Sequence, residues 1–305
     1  MNKLKPLPEE WSGLLNNEQK EAIENINGPL LIIAGAGSGK TRVLTYRYAH
    51  LIKTYGINFE NVLAITFTNK AANEMKDRIS DLLNLELSPK WISTFHSLCV
   101  KMLRIHGHLI GFNNNFTIYD QSDSTKLVRN CMRDSDIDTK QYSPKRIQAH
   151  ISSLKNQRIL PGEAVEFAQS FFDVKVAEIY SSYQKKLMLA NSMDFDDLLI
   201  KAVELLETSD KSLNYWSSKF QYIMIDEYQD TNMVQYRLVE LLASKHKNIC
   251  VVGDSDQSIY AFRGADIRNI EEFESDFKNA KVISLEKNYR SCLLYTSPSP
   301  RDIGE

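Results

Sequence analysis

The string Ala34-Gly35-Ala36-Gly37-Ser38-Gly39-Lys40-Thr41 constrains this chain more than any other feature. It follows an apolar run at residues 29–34 and precedes a helical pattern at 40–55. Glycines between a strand and a helix let backbone N–H groups turn inward and approach phosphate oxygens closely. The helix N-terminus adds positive potential. That is the context a phosphate-binding loop requires. In this reading the backbone of Ala34, Gly35, Ala36, Gly37, Ser38 and Gly39 cradles the phosphates of a nucleotide. Lys40 reaches the β- and γ-phosphates, and the Thr41 hydroxyl ligates Mg²⁺. Ala34 stands where the simplest pattern has glycine. The bland alternative is a glycine-rich turn with no ligand.

A strand–loop–helix unit of this kind belongs to a parallel sheet, and the rest of the chain repeats it. Apolar runs at 29–34, 61–67, 91–94, 222–225 and 248–252 precede helical patterns at 40–55, 70–83, 95–106, 233–244 and 267–277. A last run at 281–285 closes the series. The runs are near-continuously apolar rather than alternating, as in strands buried on both faces. The expected class is a doubly wound α/β domain. From about 106 to 195 the rhythm breaks. Asn-, Ser- and Asp-rich connectors, helical patterns such as 174–189 and few strand candidates predict a mainly helical insertion.

Composition narrows the class. The chain is 43% apolar and 25% charged over 305 residues, which is globular rather than disordered or fibrous. Cys99, Cys131, Cys250 and Cys292 form no CxxC pair. That argues against a zinc site or disulfide framework and fits a reducing, cytoplasmic setting. No apolar run approaches the ~20 residues that span a bilayer, so no membrane partner is expected. The net charge of −2 gives no global sign of nucleic-acid binding. Residues 101–193 carry +4 and the remainder −6, a basic middle in an acidic frame. A solvated helix face explains that equally well.

A phosphate-loop site needs a carboxylate at a neighbouring strand end, and residues 222–227, Tyr-Ile-Met-Ile-Asp-Glu, supply it. Asp226 would hold Mg²⁺ and Glu227 would orient or deprotonate an attacking water. Mg²⁺ suits such a site because it takes few hard oxygens and keeps its waters. Gln19 lies about twenty residues before the loop. Its amide can read an adenine edge, or it can close a capping box with Asn16. The residues alone favour the cap.

Further strings then act together: Thr66-Phe67-Thr68-Asn69-Lys70-Ala71-Ala72, Thr94-Phe95-His96-Ser97, Asp226-Glu227-Tyr228-Gln229-Asp230-Thr231, the run from Val252 to Ala265, and Asn288-Tyr289-Arg290-Ser291. In this order, after the phosphate loop, they resemble the UvrD/Rep/PcrA family of superfamily-one DNA helicases across residues 14–291. The 186-residue gap from Lys40 to Asp226 fits the helical insertion of that family's first motor domain. The resemblance implies a RecA-like parallel-sheet domain that hydrolyses ATP with Mg²⁺. It implies 3′–5′ movement along single-stranded DNA and action at single-strand/duplex junctions.

The resemblance also assigns residues. Gln19 becomes the adenine reader, with Arg42 and Tyr289 sandwiching the base. Gln257 senses the γ-phosphate, and Arg290 acts as an arginine finger. Phe67, Asn69, Thr94, His96, Tyr260, Phe262 and Arg263 contact DNA by stacking or through phosphates. Phe262 stands where the family commonly has tryptophan. Asp194-Phe195-Asp196-Asp197 also resembles a family string and receives no role.

The expected organisation is 1–105 and 196–291 as two parts of the motor domain, 106–195 as the insertion, and 292–305 as a non-native or disordered tail. A full-length family member continues into a second motor domain, so the chain reads as an N-terminal half. The competing readings are a truncated, non-catalytic ATP- or DNA-binding module and a small-molecule kinase. No acceptor-binding lid supports the kinase.

Overall fold

The computed structural model describes residues 3–35, 37–85, 89–254, 273 and 275–285. Among them the order is α1 (Glu9–Ser12), α2 (Asn17–Glu24), β1 (Leu30–Ala34), α3 (Lys40–Lys53), β2 (Val62–Thr66), α4 (Asn69–Leu83), β3 (Ile92–Thr94), α5 (Phe95–His106) and β4 (Thr117–Tyr119). There follow α6 (Gln121–Asp134), α7 (Pro144–Asn156), α8 (Phe171–Leu189), β5 (Ser192–Asp194), α9 (Phe195–Thr208), α10 (Asp210–Lys219), β6 (Tyr222–Ile225), α11 (Met233–Ala243), β7 (Ile249–Gly253) and β8 (Lys281–Leu285). Most of the expected helix 267–277 lies outside the described residues, as does the tail 292–305.

The described residues pack as two units: those within 1–94, 216–231 and 242–305 form the first, and those within 95–215 and 232–241 the second. The first unit is built on a six-stranded sheet ordered β3-β2-β6-β7-β1-β8. Every pairing in it is parallel. Residues of β2, β3, β6 and β7 are all buried, which is why their sequences do not alternate. The edge strand β8 does alternate toward its end, with Ile283 and Leu285 inward and Lys281, Val282 and Ser284 exposed. A charged residue on an edge discourages pairing with another chain.

Helices α2, α3 and α4 cover the sheet through Ala22, Ile23, Val43, Leu44, Tyr48, Leu51, Met75 and Ile79. Fully burying one such side chain contributes roughly 1.5–3 kcal/mol. Arg47, buried on α3, donates to the Ala22 carbonyl at 2.6 Å. Burial pulls its pKa down. The bond ties α2 to the helix that follows the phosphate loop.

The parallel topology decides where chemistry can gather. In the order β6-β7-β1 the carboxyl ends of three neighbouring strands share one sheet edge. Ligands of open α/β sheets bind outside such ends. Residues 35–41, 226–227 and 254 leave these strands in sequence.

The second unit is mainly helical. It also contains the parallel pair β4–β5, with Thr117 opposite Ser192 and Tyr119 opposite Asp194. Its core joins Val128, Met132, Ile147, Ile151, Val176, Ile179, Tyr180, Tyr183 and Leu187 from α6, α7 and α8. Inside it, the Lys155 ammonium bridges Asp194 Oδ2 at 2.7 Å and Asp197 Oδ1 at 2.8 Å. Tyr183 donates to Asp194 Oδ2 at 2.8 Å. Asp194 also caps α9 in a reciprocal box with Asp197. One ammonium faces two carboxylates, so they titrate apart. Despite its burial, Asp194 is held low by Lys155 and its further donors. Burial and the neighbouring Asp194 push Asp197 up. This assigns a structural task to the Asp-Phe-Asp-Asp string.

Among the described residues no helix is long and apolar enough to cross a membrane.

Candidate nucleotide-binding site

The phosphate loop is shaped by its own sequence. Gly37 and Gly39 adopt φ of +79° and +92°, where a side chain is strained. A Cβ on Gly39 would also stand 2.8 Å from Gln19 Nε2. The backbone angle is what favours glycine at 39, and a side chain there would also displace the Gln19 amide. Ser38 braces the turn, its hydroxyl donating to the Gly35 carbonyl at 2.8 Å. Ala34 ends β1 opposite Leu285 and is 1% exposed. Its methyl group fills the core, which accounts for the departure from glycine there. Ala36 lies outside the described residues.

Lys40 opens α3, and its ammonium is held between two carboxylates. Glu227 Oε2 lies at 3.3 Å and Asp254 Oδ2 at 3.2 Å. The Lys40 side chain is 10% exposed and that of Asp254 is 1% exposed. The neighbouring Thr41 hydroxyl donates to Asp226 Oδ2 at 3.3 Å. Thus the two loop residues expected to serve phosphate and metal already face the carboxylates at the end of β6.

Burial pushes the Asp226 carboxyl up to about 6, and the adjacent Glu227 charge adds to the shift. A buried carboxylate in that state gains from a cation beside it. Glu227 sits in the left-handed region at φ +50°, ψ +45°. For a non-glycine residue this stores strain of order 1–3 kcal/mol. Its backbone N–H donates to Asp226 Oδ1 at 3.0 Å.

Gln229 completes the arrangement. Its Nε2 donates to Glu227 Oε2 at 2.8 Å, and its Oε1 accepts from the Asp254 N–H at 2.9 Å. The strings quoted above contain Gln229 and Asp254, but sequence reasoning gave neither a role. A carboxylate directly after the apolar run of β7 was the available signal for Asp254.

Gln19 makes the cap and a second contact, to the phosphate loop. It closes the capping box of α2: its N–H donates to Asn16 Oδ1 at 2.7 Å, and its Oε1 accepts from the Asn16 N–H at 3.1 Å. Its Nε2 donates to the Ser38 carbonyl at 3.2 Å. The side chain thereby ties α2 to the phosphate loop. Arg42 is exposed on the first turn of α3, with its guanidinium 5.7 Å from the Tyr46 ring centre.

The residues expected to meet DNA are more dispersed. Phe67 is half-buried just after β2, and Asn69 is exposed at the start of α4. Thr94 ends β3 and is 8% exposed. His96 belongs to the second unit, edge-on to Phe195 with ring centres 5.9 Å apart. Burial lowers its pKa. Phe195 is 51% exposed and was not singled out by the sequence. Gln257, Tyr260, Phe262, Arg263, Tyr289 and Arg290 lie outside the described residues.

A family model described as the UvrD/REP helicase N-terminal domain matches residues 15–278. The chain belongs to that family. This UvrD-type chain is 50% identical over 277 residues to proteins named ATP-dependent DNA helicase PcrA from Staphylococcus epidermidis and Staphylococcus aureus. The match covers 91% of the chain and 38% of each relative, so the chain spans well under half their length. The matched region contains the phosphate loop, Asp226, Glu227, Gln229 and Asp254.

Proposed function

We propose that this chain is the ATP-binding part of a DNA helicase: the first, RecA-like motor domain with a helical insertion, working 3′ to 5′ on single-stranded DNA. The observation that carries the reading is the placement of Lys40. Its ammonium stands at the sheet edge behind a phosphate loop, within 3.3 Å of Glu227 and 3.2 Å of Asp254.

The residues divide the work as follows. Backbone N–H groups of the loop and of the first turn of α3 receive the triphosphate. Lys40 exchanges carboxylate oxygens for β- and γ-phosphate oxygens. Glu227 is thereby released as an acceptor and takes a proton from the attacking water. Thr41 and Asp226 would hold Mg²⁺. Their oxygens are hard donors, and the raised Asp226 carboxyl is relieved by a cation. The ion when bound neutralises charge on the β- and γ-phosphates. Gln19 reads adenine while braced against Ser38, and Arg42 and Tyr289 pack the base. Gln257 and Arg290 link the γ-phosphate to DNA, whose bases stack on Phe67, Tyr260 and Phe262. Asn69, Thr94, His96 and Arg263 supply further contacts.

The test is ATP hydrolysis with and without single-stranded DNA, by this chain and by a version extended with a relative's remaining sequence. Stimulation by DNA in the extended protein supports the reading. Binding without turnover in both would favour the non-catalytic module. Phosphate transfer to a small acceptor instead of water would overturn it.

A further inference from the structure

We infer that Gln229 is the positioning residue that keeps Glu227 aimed once Lys40 has moved onto phosphate; this rests on the reading of Glu227 as the base.

The geometry carries the inference. Gln229 is 2% exposed, and both ends of its amide are engaged. A backbone N–H can only donate, so the bond from Asp254 fixes the oxygen of the amide on that side. The NH₂ group must then face Glu227, an acceptor. The orientation is thus dictated by chemistry and not by a free choice of flip.

Glu227 Oε2 has two donors, Lys40 Nζ at 3.3 Å and Gln229 Nε2 at 2.8 Å. The Lys40 contact is the longer, and phosphate competes for the same ammonium. When that contact is given up, Gln229 remains. A glutamate held in the left-handed region has few other constraints on its side chain, which is 37% exposed.

The other end of the amide matters equally. It is anchored to the first residue after β7, whose carboxylate is the second partner of Lys40. One buried amide therefore spans the ends of β6 and β7 and fixes the base relative to the lysine. A misplacement of about 1 Å can cost on the order of 10²-fold in rate. A neutral donor is required here, because a cation would bind the carboxylate too tightly to release it as a base.

The test compares Gln229→Met and Gln229→Glu with the parent chain. Single-turnover hydrolysis of labelled ATP at enzyme excess gives the maximal rate and the half-saturating concentration. Thermal melting is followed in parallel. Gln229→Glu keeps an acceptor for the Asp254 N–H but sets a second, buried carboxyl against Glu227 in place of the neutral donor. Gln229→Met has neither acceptor nor donor. The expected result is a maximal rate at least tenfold lower in both, with half-saturation within about threefold of parent. Melting should fall further in Gln229→Glu, which buries a second carboxyl against Glu227, than in Gln229→Met, which leaves the Asp254 N–H unpaired. Parental rates in Gln229→Glu would overturn the inference, as would a rate loss that tracks melting across the pair. Glu227→Gln is the control. Where the chain alone does not turn over, the comparison is made in the extended protein; hydrolysis by neither, or a Glu227→Gln variant as fast as parent, overturns the base assignment and this inference together. A silent Glu227→Gln beside a fully active Gln229→Glu overturns the inference alone.

Discussion

The Lys40 ammonium stands 3.2 Å from Asp254, a carboxylate that is 1% exposed and lies 214 residues further along the chain. Lysine and aspartate compensate each other's charge away from water, with Glu227 as a second partner of the lysine. The residue that would grip phosphate is therefore also a structural tie between α3 and the end of β7.

Removing one partner should separate these tasks. Lys40→Ala leaves Asp254 buried without its ammonium, and breaking such a pair costs about 3 kcal/mol or more. We expect a clear loss of stability together with loss of ATP binding. Lys40→Ala with Asp254→Asn should regain most of the stability and none of the binding. Chemical denaturation and nucleotide titration on the two variants check both halves.

Asp226 makes the fold sensitive to pH. Its carboxyl is raised to about 6, against about 3.9 in an unfolded chain. Between those values the folded state binds more protons, so stability falls as pH rises through the window. The full cost above pH 7 is about 3 kcal/mol. Asp226→Asn should reduce the slope from pH 4 to 7, leaving the part owed to Asp197, and melt higher than parent at pH 8. Mg²⁺ should stabilise the parent at pH 8 and leave the variant unchanged. Equal slopes in parent and variant would show that this carboxyl is not the cause.

Glu227 combines a left-handed backbone with the proposed role of base. Glu227→Gln should keep nucleotide affinity and lose turnover by at least 100-fold. Glu227→Gly relieves the left-handed backbone and should be no less stable than Glu227→Ala, by up to about 1 kcal/mol after its own unfolded-state entropy. Denaturant midpoints of the two variants decide this.

For Gln19 the observed cap and the proposed nucleotide role can be divided. Gln19→Glu keeps a side-chain oxygen for the Asn16 N–H but cannot donate to Ser38 or to adenine. Stability should fall by about 1–3 kcal/mol, because a buried carboxyl then faces the Ser38 carbonyl unpaired, while the preference for ATP over GTP falls at least tenfold. Unchanged preference would leave Gln19 as a cap and a tether.

In the second unit, Lys155→Met removes the ammonium between Asp194 and Asp197. The cost should be about 3–5 kcal/mol near pH 7. It should shrink toward pH 4, because the two buried carboxylates can then take protons. Melting curves of the variant across that range are the check.

Much of this arrangement was readable before any coordinates. The β1 run Leu30–Ala34 and the loop after it announced a parallel sheet, because a strand buried on both faces cannot alternate. Asp226 and Glu227 were found for the same reason, standing where an apolar run stops. Three-residue strands such as Thr117–Tyr119 and Ser192–Asp194 are too short for any period to register. Lys155 was invisible because a lysine on a helix normally reads as solvated. Its two carboxylate partners lie 39 and 42 residues away. Gln229 and Asp254 escaped because their meaning is pairwise, and the pairs form only when β6, β7 and β1 become neighbours.

The central claim is that Lys40 grips a triphosphate at this sheet edge. Calorimetric titration of ATP with Mg²⁺ into the chain and into Lys40→Ala, both checked for folding, tests it most directly. The account predicts one site in the parent chain and at least a tenfold loss of affinity in the variant. Equal affinity in the two proteins, or no binding to the parent, would contradict it.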